Sequence, residues 1–264
     1  MKGDSILEQT KIDVYGAVRS HYQAKIVVTE SVGSGDACCG SGAGCCSSES
    51  NSVAIGYSAE ELAKIPADAN LGLGCGNPLR FSDIGEGDRV LDLGSGGGID
   101  CFIASGKVGR SGRVIGVDMT PEMIERARRT AKSHANYENV EFRLGEIENL
   151  PVADGSVDLV ISNCVVNLSP DKARVYREVF RALAPGGRVA ISDMVAIGDI
   201  PEELQRDPEA YASCISGAQS TEKSRANLLA AGFAEVEILV QGELPGEPQV
   251  AKYAASALIR ARKP

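Results

Sequence analysis

The stretch RVLDLGSGGG, residues 89–98, decides the fold of this chain of 264 residues. A short apolar strand, 89–94, runs into a loop from Gly94 to Gly98, and a helical segment follows. In such a turn, bare backbone can approach a ligand closely, and the amides at the start of the helix face an anionic group. The same loop is compatible with a tight turn that holds no ligand, so the glycines alone do not define a binding site.

Further apolar segments follow this stretch and alternate with helical ones. The pattern predicts helices at 121–133, 172–183 and 221–231, and strands at 112–118, 140–145, 157–163, 187–193, 235–241 and 254–262. Strands that alternate with helices indicate βαβ units and a mostly parallel sheet. We therefore predict a Rossmann-like α/β fold with a mostly parallel seven-stranded sheet, flanking helices and an antiparallel C-terminal edge strand.

The residues before this core have a different character. Residues 1–30 are amphipathic with helical spacing, and we expect them to form a lid or docking helix. Residues 31–52 are rich in Gly, Ser and Cys without periodicity, which predicts a flexible loop. Ser58 and Glu61 have the spacing of a capping box, so a helix should start there and run towards Ile65.

Composition excludes several functional classes. The net charge is -9 and no basic patch is evident, which argues against a nucleic-acid partner and favours a small substrate. No apolar run approaches the roughly 18 residues of a membrane span. The N-terminus lacks the apolar segment of a secretory signal, so we expect a cytoplasmic protein. In a chain of this size without an export signal, eight cysteines indicate metal, metalloid or redox chemistry more than a disulfide scaffold.

Asp118 turns the glycine loop into a candidate nucleoside site. It ends the second strand 20 residues after Gly98, where a carboxylate can accept hydrogen bonds from both ribose hydroxyls. A dinucleotide fingerprint would have glycine at position 99, where this chain has Ile99. The glycine loop and Asp118 are therefore predicted to bind a nucleoside cofactor and not the dinucleotide NAD.

The pattern D-x-G-x-G-x-G, led by Asp92, resembles the first motif of class I S-adenosylmethionine-dependent methyltransferases. The resemblance covers roughly residues 75–262 and includes LPVADGSVDLVISN and REVFRALAPGGRVAISD. It implies S-adenosylmethionine as the methyl donor and a core at 71–195 that binds it. By resemblance, the residues around the donor are Asp92, Gly94, Ser95, Gly96, Gly98, Asp118, Met119, Glu146, Ile147 and Asn163.

Three cysteines distinguish this chain among methyltransferases. Cys164 follows Asn163 at the carboxyl end of a strand, where α/β sheets bind their ligands. Taken singly, such a cysteine is more often a small buried core residue. Cys75 lies in a glycine-bounded loop, and Cys214 lies in a segment that can fold over the same face. Three thiols together would suit a soft, thiophilic centre.

The pieces GLGCGNP, LDLGSGGGIDCF and SNCVVNLSPDK, with the segment around Cys214, resemble arsenite methyltransferases. The resemblance implies that Cys75, Cys164 and Cys214 are catalytic ligands of arsenic(III), which arrives as arsenite or its thiol conjugate. It also implies glutathione or thioredoxin as a thiol reductant, and a C-terminal part, 196–264, that completes the sheet and covers the arsenic site. Residues 1–70 would form the N-terminal helical segment and Cys-rich loop.

For the remaining cysteines, more than one role is compatible with the sequence. Cys38, Cys39, Cys45 and Cys46 are four candidates for a further family cysteine, and they could instead bind a soft ion independently. Cys101 is expected to be structural or to take part in a disulfide. Two other functions stay open: a C- or O-methyltransferase of a small metabolite, and a metalloid-binding protein without catalysis.

Overall fold

The computed structural model describes residues 14–24, 26, 48–205, 207–242 and 252–264. The described strands are β1 (Arg89–Leu93), β2 (Arg113–Asp118), β3 (Val140–Leu144), β4 (Val157–Asn163), β5 (Leu183–Ala196), β6 (Gln219–Ser220), β7 (Ala234–Gly242) and β8 (Ala254–Arg262). They form one sheet in the order β3-β2-β1-β4-β5-β8-β7, with the two-residue β6 paired to β5. Strands β1 to β5 are parallel, and β8 is antiparallel to both β5 and β7. The predicted fold is confirmed.

Helices cover both faces of this sheet. They are α1 (residues 14–24), α2 (Ser48–Ala54), α3 (Ala59–Ala63), α4 (Ile99–Val108), α5 (Pro121–Ser133), α6 (Lys172–Ala182), α7 (Glu202–Gln205), α8 (Pro208–Ala212) and α9 (Thr221–Ala230). The predicted capping box begins α3: the Ser58 side chain accepts from the Glu61 backbone N–H, and the Glu61 carboxylate accepts from that of Ser58. None of the described helices is both long and apolar enough to cross a membrane.

The structure corrects several local predictions. Residues 48–52, expected in the flexible loop, are helical in α2, because Ser52 is buried and its hydroxyl donates to the Asn70 side chain at 2.7 Å. Helix α6 ends at Ala182, since β5 already starts at Leu183. Strand β6 was not predicted, because two residues carry no periodicity. The predictions for residues 1–13, 25 and 27–47, including those for Cys38, Cys39, Cys45 and Cys46, lie outside the described residues.

Alternate residues of the central strands point to opposite faces and enter separate cores. Leu91 of β1 packs on the face covered by α6 and α9, whereas Val90 packs on the face covered by α4 and α5. Burial on both faces explains why these strands are nearly continuous apolar runs.

The order of the strands fixes where a ligand can bind. The chain proceeds from β1 outwards to β3 and then returns to place β4 on the other side of β1. At such a reversal, the loops after β1 and β4 diverge and leave a crevice at the carboxyl ends of the strands. The glycine loop follows β1, and Cys164 follows β4, so both lie at this crevice.

Candidate active site

A cleft of about 1040 Å³, part of it open to solvent, lies at this crevice. All but one of the residues predicted around the methyl donor line it: Asp92, Gly94, Ser95, Gly96, Asp118, Met119, Glu146, Ile147 and Asn163. The exception is Gly98, which caps α4 behind the cleft wall, where a Cβ would come within 2.8 Å of the Phe142 ring.

The glycine loop is built so that bare backbone forms the wall of the cleft. Gly94 and Gly96 have positive φ values of 66° and 51°. A Cβ at Gly94 would lie 2.3 Å from the Val165 side chain, whereas no atom of a described residue lies within 4 Å of the Cβ position at Gly96. Gly94 therefore needs to be glycine to fit the protein, while Gly96 leaves open space at the cleft.

Asp118 is held in place by the backbone at the end of β2. Its carboxylate accepts hydrogen bonds from the N–H of Gly96 at 2.9 Å and of Thr120 at 2.8 Å. Burial raises the pKa of Asp118, and these backbone hydrogen bonds oppose that rise. The arrangement presents a carboxylate to the cleft next to the glycine loop, as ribose binding requires.

One buried polar atom at the cleft has no hydrogen-bond partner among the described residues. The Ser95 hydroxyl is buried, belongs to a residue of the cleft wall, and makes no hydrogen bond to the part of the chain that the structure describes. Buried polar groups are normally satisfied, so this hydroxyl is suited to a ligand. The open position at Gly96, the Asp118 carboxylate and the Ser95 hydroxyl together fit a nucleoside cofactor.

Several cleft residues were missed by sequence reasoning. Asp100 and Glu148 are buried acids of the cleft wall, and Tyr15 and Tyr22 of α1 also line it. Burial raises the pKa of Asp100 to about 7. The position of Asp100 in the first turn after the glycine loop could have predicted that it lines the cleft. No sequence pattern around Glu148 predicts this.

Two of the three predicted arsenic ligands are joined to each other. Cys75 and Cys164 form a disulfide, with their Cα atoms 5.8 Å apart. Both are buried, and the ligand atoms of Cys75, Cys164 and Asp193 all lie within 4.8 Å of one another. Burial raises the pKa of Asp193 to about 6. The two sulfurs can act as thiolate ligands only after the disulfide is reduced.

Cys214 joins this pair from the turn after α8. It is buried in one apolar cluster with Cys75, Cys164 and Val18 of α1. The side chain of Asn167 donates to the Cys214 carbonyl at 2.5 Å, and the Asn167 N–H donates to Asp193 at 2.9 Å. The three cysteines that the sequence singled out thus lie in one apolar cluster, whereas the ligand atoms within 4.8 Å of one another are those of Cys75, Cys164 and Asp193.

Asn163 lines the cleft, but its side-chain amide is engaged by the protein. It accepts from the Cys75 N–H at 3.0 Å and donates to the Gly76 carbonyl at 2.7 Å and the Tyr57 hydroxyl at 2.9 Å. The resemblance implies that Asn163 contacts the methyl donor. Such a contact would come in addition to the hydrogen bonds that the side-chain oxygen and nitrogen of Asn163 already make.

The remaining predicted residues lie apart from the cysteine cluster. Cys101 is buried in α4, where its thiol donates to the Asp92 carboxylate at 3.3 Å, and burial raises its pKa. This contact agrees with a structural role.

Comparison with known proteins identifies relatives of this chain. The methyltransferase domain family model matches residues 84–237. The arsenite methyltransferase of Halobacterium salinarum is 51% identical over 249 residues, which are 88% of this chain and 63% of that protein. That of Aquipseudomonas alcaligenes is 46% identical over 151 residues, 55% of this chain and 43% of that protein. The crystal structure of an arsenic(III) S-adenosylmethionine methyltransferase from Chlamydomonas reinhardtii matches with a TM-score of 0.60 and 35% identity, covering 80% of this chain and 72% of that one.

The fold and the cleft define a class I S-adenosylmethionine-dependent methyltransferase. Within this class, the chain belongs to the arsenite methyltransferase family. It spans less than two thirds of the length of both curated relatives.

Proposed function

We propose that this chain transfers methyl groups from S-adenosylmethionine to trivalent arsenic held by the thiolates of Cys75, Cys164 and Cys214, giving methylated arsenicals for arsenic detoxification. The observation that carries the proposal is the position of this cysteine cluster. Cys164 lies on the wall of the cofactor cleft, Cys75 is bonded to it, and Cys214 lies in the same apolar cluster with its thiol on the Cys164 carbonyl.

The chemistry of arsenic explains why thiols are needed here. Arsenite exchanges its three hydroxyl groups for three cysteine sulfurs, and in each exchange the proton of the thiol leaves with the hydroxyl group as one water molecule. Soft thiolates suit this soft centre better than carboxylates or amides. Arsenic bound by three sulfurs keeps a lone pair that points away from them, and this lone pair is the nucleophile. Because arsenic carries no proton to lose, the methyl transfer itself needs no general base.

The cleft supplies the other half of the reaction. When bound, S-adenosylmethionine supplies an electrophilic methyl group on a cationic sulfur. The glycine loop and Asp118 would hold its nucleoside, and the buried hydroxyl of Ser95 would donate to it. The protein contributes mainly by placing the two sites side by side. Arsenic that gives its lone pair to a carbon becomes formally pentavalent, so thiols such as glutathione or thioredoxin are needed to return it to the trivalent state.

The experiment is an anaerobic assay of the purified chain with arsenite, S-adenosylmethionine and excess glutathione, in which arsenic species are separated and detected by element. Methylated arsenicals would support the proposal. Donor binding with no arsenic product would contradict it and would favour a metalloid-binding protein if arsenite is still bound. If arsenite is not bound, a small-metabolite methyltransferase is favoured.

A further inference from the structure

The loop that carries Cys75 packs against Asn163 at the end of β4 and against Ser192 within β5, through one side-chain amide and two glycines. The Asn163 amide bonds to the backbone on both sides of the cysteine, at the Cys75 N–H and the Gly76 carbonyl. A Cβ at Gly74 would lie 2.8 Å from that amide, and one at Gly76 would lie 1.9 Å from the Ser192 hydroxyl. Cys75 is thus held against Cys164 by a tight fit and not by its sulfur alone.

The same amide is tied to a second pair of buried side chains. The Asn163 amide donates to the Tyr57 hydroxyl at 2.9 Å, and that hydroxyl donates to the Asp100 carboxylate at 2.8 Å. Tyr57 and Asp100 are only 2% and 3% exposed, so water does not compete for these bonds. A continuous row of hydrogen bonds therefore runs from the backbone of Cys75 to Asp100.

Asp100 lies where a bound cofactor can change the strength of this row of hydrogen bonds. It lines the cleft in the first turn of α4, next to the glycine loop. S-adenosylmethionine and its demethylated product both carry a cationic ammonium group, and when bound in this cleft that group would favour a charged Asp100. A charged carboxylate is the stronger acceptor for the Tyr57 hydroxyl. A more strongly hydrogen-bonded Tyr57 hydroxyl in turn orients the Asn163 amide, which is hydrogen-bonded to the backbone of the Cys75 loop.

We propose that Asn163 is a positioning residue for Cys75, and that Tyr57 and Asp100 link it to the cofactor cleft, so that cofactor binding strengthens the binding of arsenic by the cysteines. This inference rests on the proposed function. Linkage is reciprocal, so arsenic would strengthen cofactor binding by the same factor. The benefit is an ordered pair of sites: the thiols hold arsenic most tightly when the cofactor is in place.

The test is calorimetric titration of the reduced full chain with arsenite, with and without saturating S-adenosylhomocysteine. Allosteric coupling of this kind is typically about fivefold or more. We expect S-adenosylhomocysteine to tighten arsenite binding by about that factor in the wild type, and the factor to fall towards one in Tyr57→Phe. Asp100→Asn keeps a hydrogen-bond acceptor for Tyr57 but loses the negative charge, so its factor should also fall towards one. This variant replaces Tyr57→Phe in the test if Tyr57→Phe does not fold. The matched control is Tyr137→Phe, which removes a hydroxyl that donates to the Lys64 carbonyl at 3.2 Å; it should keep the wild-type factor.

Two results overturn the inference while leaving the proposed function intact. One is a wild type that binds arsenite through its cysteines with no effect of S-adenosylhomocysteine. The other is a folded Tyr57→Phe or Asp100→Asn that keeps the full factor. Failure of the proposed function looks different: the wild type then does not bind arsenite, or Cys164→Ser binds it equally well.

Discussion

The thiol of Cys214 donates a hydrogen bond to the backbone carbonyl of Cys164, with sulfur and oxygen 3.3 Å apart. Both residues have left-handed backbone conformations, with φ of 60° at Cys164 and 63° at Cys214. Residues other than glycine rarely adopt this conformation, which costs roughly 1–2 kcal/mol for each. Such strain concentrates at functional sites. Its occurrence at two of the three cysteines of one cluster supports a role of this cluster in function.

Replacing Cys214 tests its role as a ligand. Loss of a group that only orients a metal ligand weakens affinity about tenfold to a hundredfold. We therefore expect Cys214→Ser, which removes a ligand itself, to weaken arsenite binding by about tenfold or more in calorimetric titration of the reduced protein. S-adenosylhomocysteine binding should change little. The control is Cys101→Ser, which changes a buried thiol outside the cluster. Equal loss in both variants would count against a special role for Cys214.

Replacing Asp118 tests the nucleoside site. Hydrogen bonds to charged groups contribute about 1.5–3 kcal/mol, and each 1.4 kcal/mol is a factor of ten in affinity. We expect Asp118→Asn to weaken S-adenosylhomocysteine binding by about tenfold or more, as measured by calorimetry. Asp158→Asn is the matched control, because Asp158 pairs with Arg89 at the start of β1, at the opposite ends of the strands. Unchanged binding in Asp118→Asn would refute the assigned position of the ribose.

Gly76 tests how tightly the Cys75 loop is packed. An alanine there would place its Cβ 1.9 Å from the Ser192 hydroxyl, and overpacking of this kind costs about 1–3 kcal/mol. Gly106→Ala is the control, because Gly106 stands inside α4 and its Cβ position has no neighbour within 4 Å in the described ranges of the chain. That change should raise stability by about 0.5–1 kcal/mol. Urea unfolding measures both. A Gly76→Ala protein as stable as the wild type would show that this loop has room to move.

The pKa of Asp100 predicts how stability depends on pH. Burial raises this pKa from its ordinary 3.8 to about 7. Between about pH 4 and pH 7, the unfolded chain has lost a proton that the folded chain keeps, so stability falls as pH rises through this window and is level above it. The contribution is at most about 4 kcal/mol.

Asp100→Asn removes this titration, so we expect it to lose less stability than the wild type between pH 5 and pH 8 in urea unfolding. Asp158 has a lowered pKa, because Arg89 binds its carboxylate, and its stabilisation is lost only at more acidic pH. Asp158→Asn should therefore show the wild-type decrease. If Asp100→Asn shows the same decrease in stability as the wild type, the Asp100 carboxyl group is already ionised at pH 5.

The fold and the main chemical groups could be predicted because their signals are local. Strand periodicity located β1 to β5, and the spacing from Gly98 to Asp118 located the cleft. The contacts of Tyr57 were not predictable, because it meets Asp100 and Asn163 across 43 and 106 residues of chain. The disulfide between Cys75 and Cys164 likewise spans 89 residues, and the spacing of cysteines does not determine how they pair.

The most direct test of the account is a single turnover of the reduced, full chain with bound arsenite and S-adenosylmethionine carrying an isotopically labelled methyl group. We predict that the label appears on arsenic with the wild type, and that Cys164→Ser transfers none while still binding S-adenosylhomocysteine. A wild type that binds both compounds and transfers no label, or a Cys164→Ser protein with wild-type transfer, would contradict the account.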